Sequence, residues 1–507
     1  MAFNSLQFLL FFPVAVLGYY LVPKRLQKPF LLALSYFFYM FLHAGFVVFI
    51  LISTLSTWGC ALLLSRLQRE GARRAAFACV LLLNLGILFV FKYFNMFAEL
   101  AAALASLAGA ALTPVRLSLL LPVGISFYTF QVLGYLIDVY RGTVEAEKNL
   151  LDYALFVTFF PQLLSGPIGR ADSLLPQLAA PHPFCYDNLA AGLRMMLLGF
   201  FKKVLIADNI GIAVDRLFTY TDVFPGPVLV CGMMLYAVQI YCDFGGYCDV
   251  AIGAAKVLGI DLARNFDHPY FSQSIAEFWR RWHITLGAWF RDYLFYPVLR
   301  SPLCMALTRH FSKAHRRTAA KLVPTAVALA VVWFSTGLWH GAAWTYVAWG
   351  CLHGLYQIVG MATQPARKRL AKRTGWDRLP VLPGLVRVAF TFALVCIGYV
   401  FFRAGSFAQA LLVLTHSVRG WGILLQPAQA LGAFSSLADS ARVTAIILVS
   451  VAVLWAFELW ERRKNARFEQ LVAALPWAGQ WAVYYGMLLA IALFGAFGRS
   501  SFIYFQF

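Results

Sequence analysis

Long apolar runs alternate with short basic clusters along this chain, and that alternation predicts its elements. The apolar runs 6–22, 30–42 and 46–64 are separated by Lys24, Arg25 and Lys28 and by a polar turn at 43–45, and Arg66, Arg69, Arg73 and Arg74 follow. A helix needs ~20 apolar residues to cross a hydrocarbon core, so each run predicts one crossing, with the short second one tilted or sharing residues with its neighbour. Residues 75–97 predict the next span, and the alanine-rich stretch 100–112 is expected to return. From 121 the texture changes to LPVGISFYTFQVLGYLIDVYRG, where Pro122, Gly124 and Gly134 predict an interfacial or broken helix lining a cavity. The stretch 189–206 carries Arg194, Lys202 and Lys203 and predicts a helix with a basic end near a membrane surface.

Residues 228–260 are apolar but contain YCDFGGYCD, so a helix break at Gly245 and Gly246 is expected, with Asp243 and Asp249 facing protein or water. Six residues apart, the two carboxylates point to different faces of a continuous helix, which favours polar packing or an N-cap over an acid–base couple. The segment 265–300 is the most polar and aromatic of the chain. It interleaves Asn265, Glu277, Arg280, Arg281 and His283 with Phe278, Trp279, Trp282 and Trp289, a mixture suited to a membrane interface. Basic clusters recur at 309–321, 367–378 and 462–467, and the apolar runs 385–402, 443–457 and 481–497 complete the set. The count is about ten to twelve spans, all α, with no internal repeat of the kind secondary transporters show.

Composition agrees with this pattern and narrows it. With 61% hydrophobic and 13% charged residues, the chain has too little polar surface for a water-soluble globule. No polar linker divides its 507 residues, so 1–507 is expected to form one transmembrane domain. The net charge of +20 resides in clusters between apolar spans, the pattern of cytoplasmic loops facing anionic headgroups rather than of a nucleic-acid binder. If all the clusters are cytoplasmic, both termini lie outside. The N-terminus lacks a basic n-region and is expected to remain as the first helix. The nine cysteines form no CxxC pair and read as small buried hydrophobes, with no metal site expected.

Candidate chemistry centres on WFSTGLWHGAAW, 333–344, which sets His340 in an apolar run. An ionisable side chain at membrane depth is costly unless it lines a cavity, so His340 is a functional candidate, with Trp339 and Trp344 as possible walls and Gly337 and Gly341 permitting an interrupted or tilted hairpin. The alternative is a core histidine satisfied by a carbonyl. His283, beside Arg280 and Arg281, offers a second titratable group at an anion-suited surface, against the simpler reading of an amphipathic lipid anchor. A neutral imidazole suits a general base, and no GxSxG elbow provides a serine nucleophile.

The segments LPVGISFYTFQVLGYLIDVYRG, YCDFGGYCDVAIG, PYFSQSIAEFWRRWHITLGAWFRDYL, GLWHGAAWTYVAWGCLHG and FIYFQF together resemble the membrane-bound O-acyltransferase (MBOAT) family nearly end to end, in its bacterial, alginate O-acetylation branch. After FRDYL the chain reads YPVLRSPLC where that branch carries a Gly-Gly-Asn-Arg turn, so the resemblance speaks for acyl transfer more directly than for one polysaccharide. It implies a helical bundle around a catalytic tunnel in the bacterial inner membrane, with His340 and His283 as catalytic positions. The residues' own cationic and aromatic setting makes Arg280, Arg281, Trp282, Trp339, Asn265 and Glu277 the substrate-binding candidates, with Arg280, Arg281 and His283 expected to border the donor's cytoplasmic entrance. The resemblance also implies no tightly bound cofactor, a cytoplasmic donor such as acetyl-CoA or an acyl-carrier, an extracytoplasmic SGNH-type acyltransferase partner, and an exopolysaccharide or cell-wall glycan acceptor. The competing classes are a non-enzymatic transporter and a structural subunit of a polysaccharide export complex.

Overall fold

A computed structural model describes residues 1–110, 112–376, 379–498 and 502–503. Among them the chain is helical, with no strand beyond a single antiparallel bridge between Phe266 and Trp282. Seven helices are long and apolar enough to cross a membrane: Ala44–Arg66, Glu70–Leu107, Gly226–Val257, Arg317–His340, Leu382–Arg403, Ala441–Lys464 and Trp477–Phe494. The remaining apolar sequence forms shorter helices such as Leu6–Leu21, Lys24–Met40 and Ile125–Arg141. Most of Ile125–Arg141 is buried. It is one continuous helix: Pro122 and Gly124 fall at the entry turn, where Gly124 adopts φ +79°, and Gly134 lies inside the helix, facing Trp289 and Tyr293.

Several sequence expectations change here. The alanine-rich stretch does not turn back. Alanine and leucine are strong helix formers and no turn residue interrupts them, so Glu70–Leu107 continues as a single run of 38 residues, relieved by a π-helical turn at Phe89–Tyr93.

The glycine pair in YCDFGGYCD does not break its helix either, since Gly226–Val257 is continuous. The glycines instead let two helices touch backbone to backbone. A Cβ on Gly246 would lie 2.7 Å from the Gly199 carbonyl oxygen, and one on Gly253 would lie 2.5 Å from that of Gly192. Spaced seven apart on both Tyr186–Phe200 and Gly226–Val257, these residues form one small-residue seam, a common device of helix pairs in lipid.

That close approach explains the carboxylates. Lys202 and Lys203 do not lie at a basic helix end near a surface: both are buried in the π-helical segment Phe201–Ala207. Lys202 pairs with Asp249 at 2.8 Å, while Lys203 sits between Asp208 at 2.9 Å and Asp243 at 2.5 Å. Asp243 also accepts the Ile503 backbone N–H, and Phe502 packs on Tyr247, as does Phe3 from the other end of the chain. Residues 504–507 of the FIYFQF segment, and Asp377 and Arg378 of one basic cluster, lie outside the described residues.

The helix carrying His340 is uninterrupted from Arg317 to His340 and ends at Gly341, so of the interrupted and the tilted hairpin the interrupted one is absent. The glycines serve the hairpin crossing: Cβ atoms on Gly337 and Gly350 would meet the Tyr346 and Trp333 carbonyl oxygens at 2.6 and 2.3 Å. After a tight turn at 341–343 the chain returns as Trp344–Thr374, which places the basic beginning of one helix beside the basic end of the other.

Candidate active site

His340 is the last residue of its helix and is buried at 3% exposure. Its ring meets three others edge to face: Trp339 at 5.0 Å, Trp349 at 4.8 Å and Phe402 at 5.2 Å between centroids. Trp344, expected as a wall, is half exposed, because the turn after Gly341 directs it away, and Trp349, one and a half turns further on, takes that place. Behind Trp349 lies His353, whose Nδ1 accepts the Trp279 indole N–H at 3.2 Å.

A helix that ends in the protein interior leaves its last carbonyls in need of donors. Here they come from the π-helical turn Phe89–Tyr93: the Lys92 ammonium donates to the Trp339 oxygen at 2.6 Å and the Tyr93 hydroxyl donates to that of Leu338 at 2.9 Å. Lys92, Pro122, Gly124, Ser126, Trp339 and His340 then line a cavity of about 50 Å³. On another side, Phe402 and Tyr346 separate His340 from a polar vestibule of about 1160 Å³ that is also lined by Asp215, Gln239, Arg403 and Asp439. The vestibule walls are braced by the pairs Arg403–Asp215 at 2.6 Å and Arg216–Asp439 at 2.7 Å.

His283 is positioned by an unusual backbone. It adopts φ +45°, a left-handed conformation seldom used outside glycine and asparagine, at the start of the short helix Ile284–Phe290. Asn265 holds this turn. Its backbone oxygen accepts Ile284 N–H at 3.0 Å, and its side-chain oxygen accepts the Thr285 N–H at 3.1 Å and hydroxyl at 2.7 Å. The result sends the His283 ring inward, 1% exposed, against Phe244 at 4.7 Å and Trp339 at 5.8 Å. Trp339 therefore stands between the two imidazoles, in contact with both.

The other sequence candidates form a separate group. Arg281 pairs with Glu277 at 2.9 Å, Arg280 is exposed, and Trp282 is buried among Phe266, Phe278 and Tyr270. None of these lines the cavity at His340. Asn265 acts through the His283 turn. Nearby, the loop carrying Asp267 and His268 is tied to the basic end of Ala441–Lys464: His268 donates to Glu461 at 2.7 Å and Arg467 pairs with Asp267 at 2.8 Å. Hydrogen bonds from His268 and Arg467 hold the Asp267 carboxyl well below its usual range. Burial opposes charge on His268, but Asp267 and Glu461 more than offset it and raise its pKa.

Sequence reasoning passed over Lys92, Trp349 and Phe402. Lys92 carried a signal, being the sole charged residue between Arg74 and Glu99, inside an apolar run. Trp349 and Phe402 carried none, since aromatics at helical spacing are ordinary core residues.

Comparison with known proteins bears on this geometry. The profile of "MBOAT, membrane-bound O-acyltransferase family" matches residues 144–402, which include both histidines. A probable alginate O-acetylase AlgI of Pseudomonas putida is 37% identical over 410 residues, covering 80% of this chain and 77% of the relative. A peptidoglycan O-acetyltransferase of Helicobacter pylori is 30% identical over 464 residues, 83% of this chain and 81% of the relative. A teichoic acid D-alanyltransferase of Streptococcus thermophilus is 30% identical over 273 residues, 52% and 63% of the two chains.

Proposed function

Because the chain belongs to the membrane-bound O-acyltransferase family, we propose that this multi-pass enzyme moves an acetyl group from a cytoplasmic thioester to a hydroxyl on the far side of the membrane, with His340 as general base. Acyl transfer to polysaccharide is the activity its relatives are named for, and it disfavours the transporter and structural-subunit readings. The finer assignment is supported by one observation: His340 lines a small cavity and touches Phe402, which lines a large polar vestibule. A cavity of about 50 Å³ has room for a few waters or a two-carbon acyl group. The vestibule, lined by carboxylate, guanidinium and amide groups, suits a hydroxyl-rich acceptor or the partner that presents one.

In this reading the donor is acetyl-CoA or an acyl-carrier thioester, arriving from the basic, cytoplasmic side past His283 and Trp339. The acceptor oxygen attacks the thioester carbonyl carbon while His340 takes its proton, and the departing thiolate takes the proton back as the C–S bond breaks. The product leaves through the vestibule to an SGNH-type extracytoplasmic partner, and so to an exopolysaccharide or cell-wall glycan. Alginate, peptidoglycan and teichoic acid, for which the relatives are named, are all polymers with hydroxyls to acylate.

Proteoliposomes supplied with radiolabelled acetyl-thioester outside the basic face and acceptor on the other test this. The wild type should transfer label and His340→Ala should lose at least 10²-fold, a typical contribution of general base catalysis, while folding normally. Full transfer by His340→Ala would overturn the assignment.

A further inference from the structure

The buried and half-buried lysines of this protein come with carboxylates among the described residues, with one exception. Lys202 and Lys203 pair with Asp249, Asp208 and Asp243, and Lys28 pairs with Asp152 at 2.7 Å. Lys92 lies 22 residues into the apolar run Glu70–Leu107, and among the described residues no carboxylate pairs with it. An ammonium held among protein groups with no carboxylate beside it is expensive, and it is kept only where something offsets that cost.

The Lys92 surroundings partly explain it. Its Nζ donates to the Trp339 oxygen at 2.6 Å and to the Ser126 hydroxyl at 3.3 Å, and sits 5.8 Å from the Trp339 ring centroid. A cation on the last carbonyls of a helix is favourable. Yet Tyr93, next to it, already caps that helix with a neutral hydroxyl, so capping alone does not require the charge. An ammonium has three N–H bonds, and Trp339 and Ser126 account for two. The third remains for the cavity that Lys92 shares with His340. The π-helical turn at Phe89–Tyr93 fits this arrangement, since such turns displace side chains from regular helical directions and recur at functional sites.

We propose that Lys92 is a catalytic residue, the cation that receives the oxyanion of the transferred acyl group. This rests on the general-base reading of His340. When the acceptor oxygen forms its bond to the thioester carbon, the carbonyl π pair moves onto oxygen, and His340 holds the proton removed from the acceptor. Lys92 donates its third N–H to that oxygen and keeps its own proton throughout. The pair returns to carbon as the C–S bond breaks, and the thiolate leaves with the proton from His340. A base and an oxyanion donor on two walls of one 50 Å³ space place the acyl group between them, in a site where preorganised charge is most effective.

The test compares Lys92→Met, Lys92→Ala and His340→Ala in the proteoliposome assay, with donor KM, kcat and thermal unfolding measured for each. Lys92→Met should lower kcat by about 10²–10³-fold, the loss typical of a deleted oxyanion donor, with donor KM changed by less than about threefold. Propylammonium added to Lys92→Ala should restore part of kcat and should do nothing for His340→Ala. Wild-type kcat in folded Lys92→Met, with His340→Ala inactive, would overturn the role of Lys92 and leave the base standing. Activity in His340→Ala would instead remove the reading on which the inference rests. Loss in Lys92→Ala that no amine restores, accompanied by a lower unfolding temperature, would assign Lys92 to helix capping and overturn the proposal.

Discussion

His283 points inward because Asn265 holds its turn, and that dependence can be measured. The side-chain oxygen of Asn265 accepts two hydrogen bonds from Thr285, whose own hydroxyl accepts Ile168 N–H at 3.1 Å. Asn265→Ala leaves buried donors unmet, at a cost of about 1–3 kcal/mol, and releases a left-handed backbone that has no reason to persist without them. Acyl transfer should fall about tenfold with donor KM unchanged, and Asn265→Asp, which keeps the acceptor oxygen, should retain most of it. Equal loss in both variants, or a loss confined to KM, would make Asn265 a substrate contact. At this scale the sequence was informative where chemistry and context disagreed, as for a histidine in an apolar run. Lys92 presented the same contradiction, but the run read as an ordinary span because one lysine hardly lowers its hydropathy. The partner of Arg281 was within reach of the sequence, since Glu277 stands four residues before it on the helix Ile275–Arg281.

Helices were legible as apolar runs, and their interruptions were not, because glycine in lipid has two uses. It can end a helix or let one approach another, and Gly199 and Gly246 do the second. Once the helices lie that close, Lys203 reaches Asp243 across the seam. Charges on separate runs were each read alone, as a basic helix end and as a break, when they are one buried network. Lys203→Met should therefore cost about 3–5 kcal/mol, since it strands two carboxylates that are 3% exposed, whereas Lys203→Met combined with Asp208→Asn and Asp243→Asn should recover most of that loss. Unfolding in denaturing detergent checks the order of the three proteins. A triple variant no better than the single one would mean that the lysine supports the seam by packing alone.

The orientation of the whole bundle follows from one hydrogen bond and two helix lengths. Lys92 lies 22 residues after Glu70, and Trp339 lies 22 residues after Arg317, so each sits ~33 Å along its helix from a basic cluster. A hydrocarbon core is ~30 Å thick. Had the two helices started from opposite faces, Lys92 and Trp339 would lie on opposite faces as well, yet Nζ and oxygen are 2.6 Å apart. The clusters at 66–74 and 309–321 thus share a side, and their excess of lysine and arginine predicts that this side faces the cytoplasm. The same lengths predict the depth of His340 for a helix crossing upright. From Lys321, the last charge before the apolar run, 19 residues give ~28 Å, which puts the imidazole near the far edge of the core rather than midway. Protein, not lipid, covers it there, and a donor arriving from the basic side would have nearly the full thickness to cross. Two single cysteines introduced into a chain whose native cysteines are replaced, at Lys313 and Ala342, measure both conclusions, because both positions are exposed. An impermeant thiol reagent applied to spheroplasts should label position 342 and reach position 313 only after permeabilisation. Labelling of 313 in intact spheroplasts would invert the bundle, and protection of 342 until the membrane is opened would return His340 to the membrane interior.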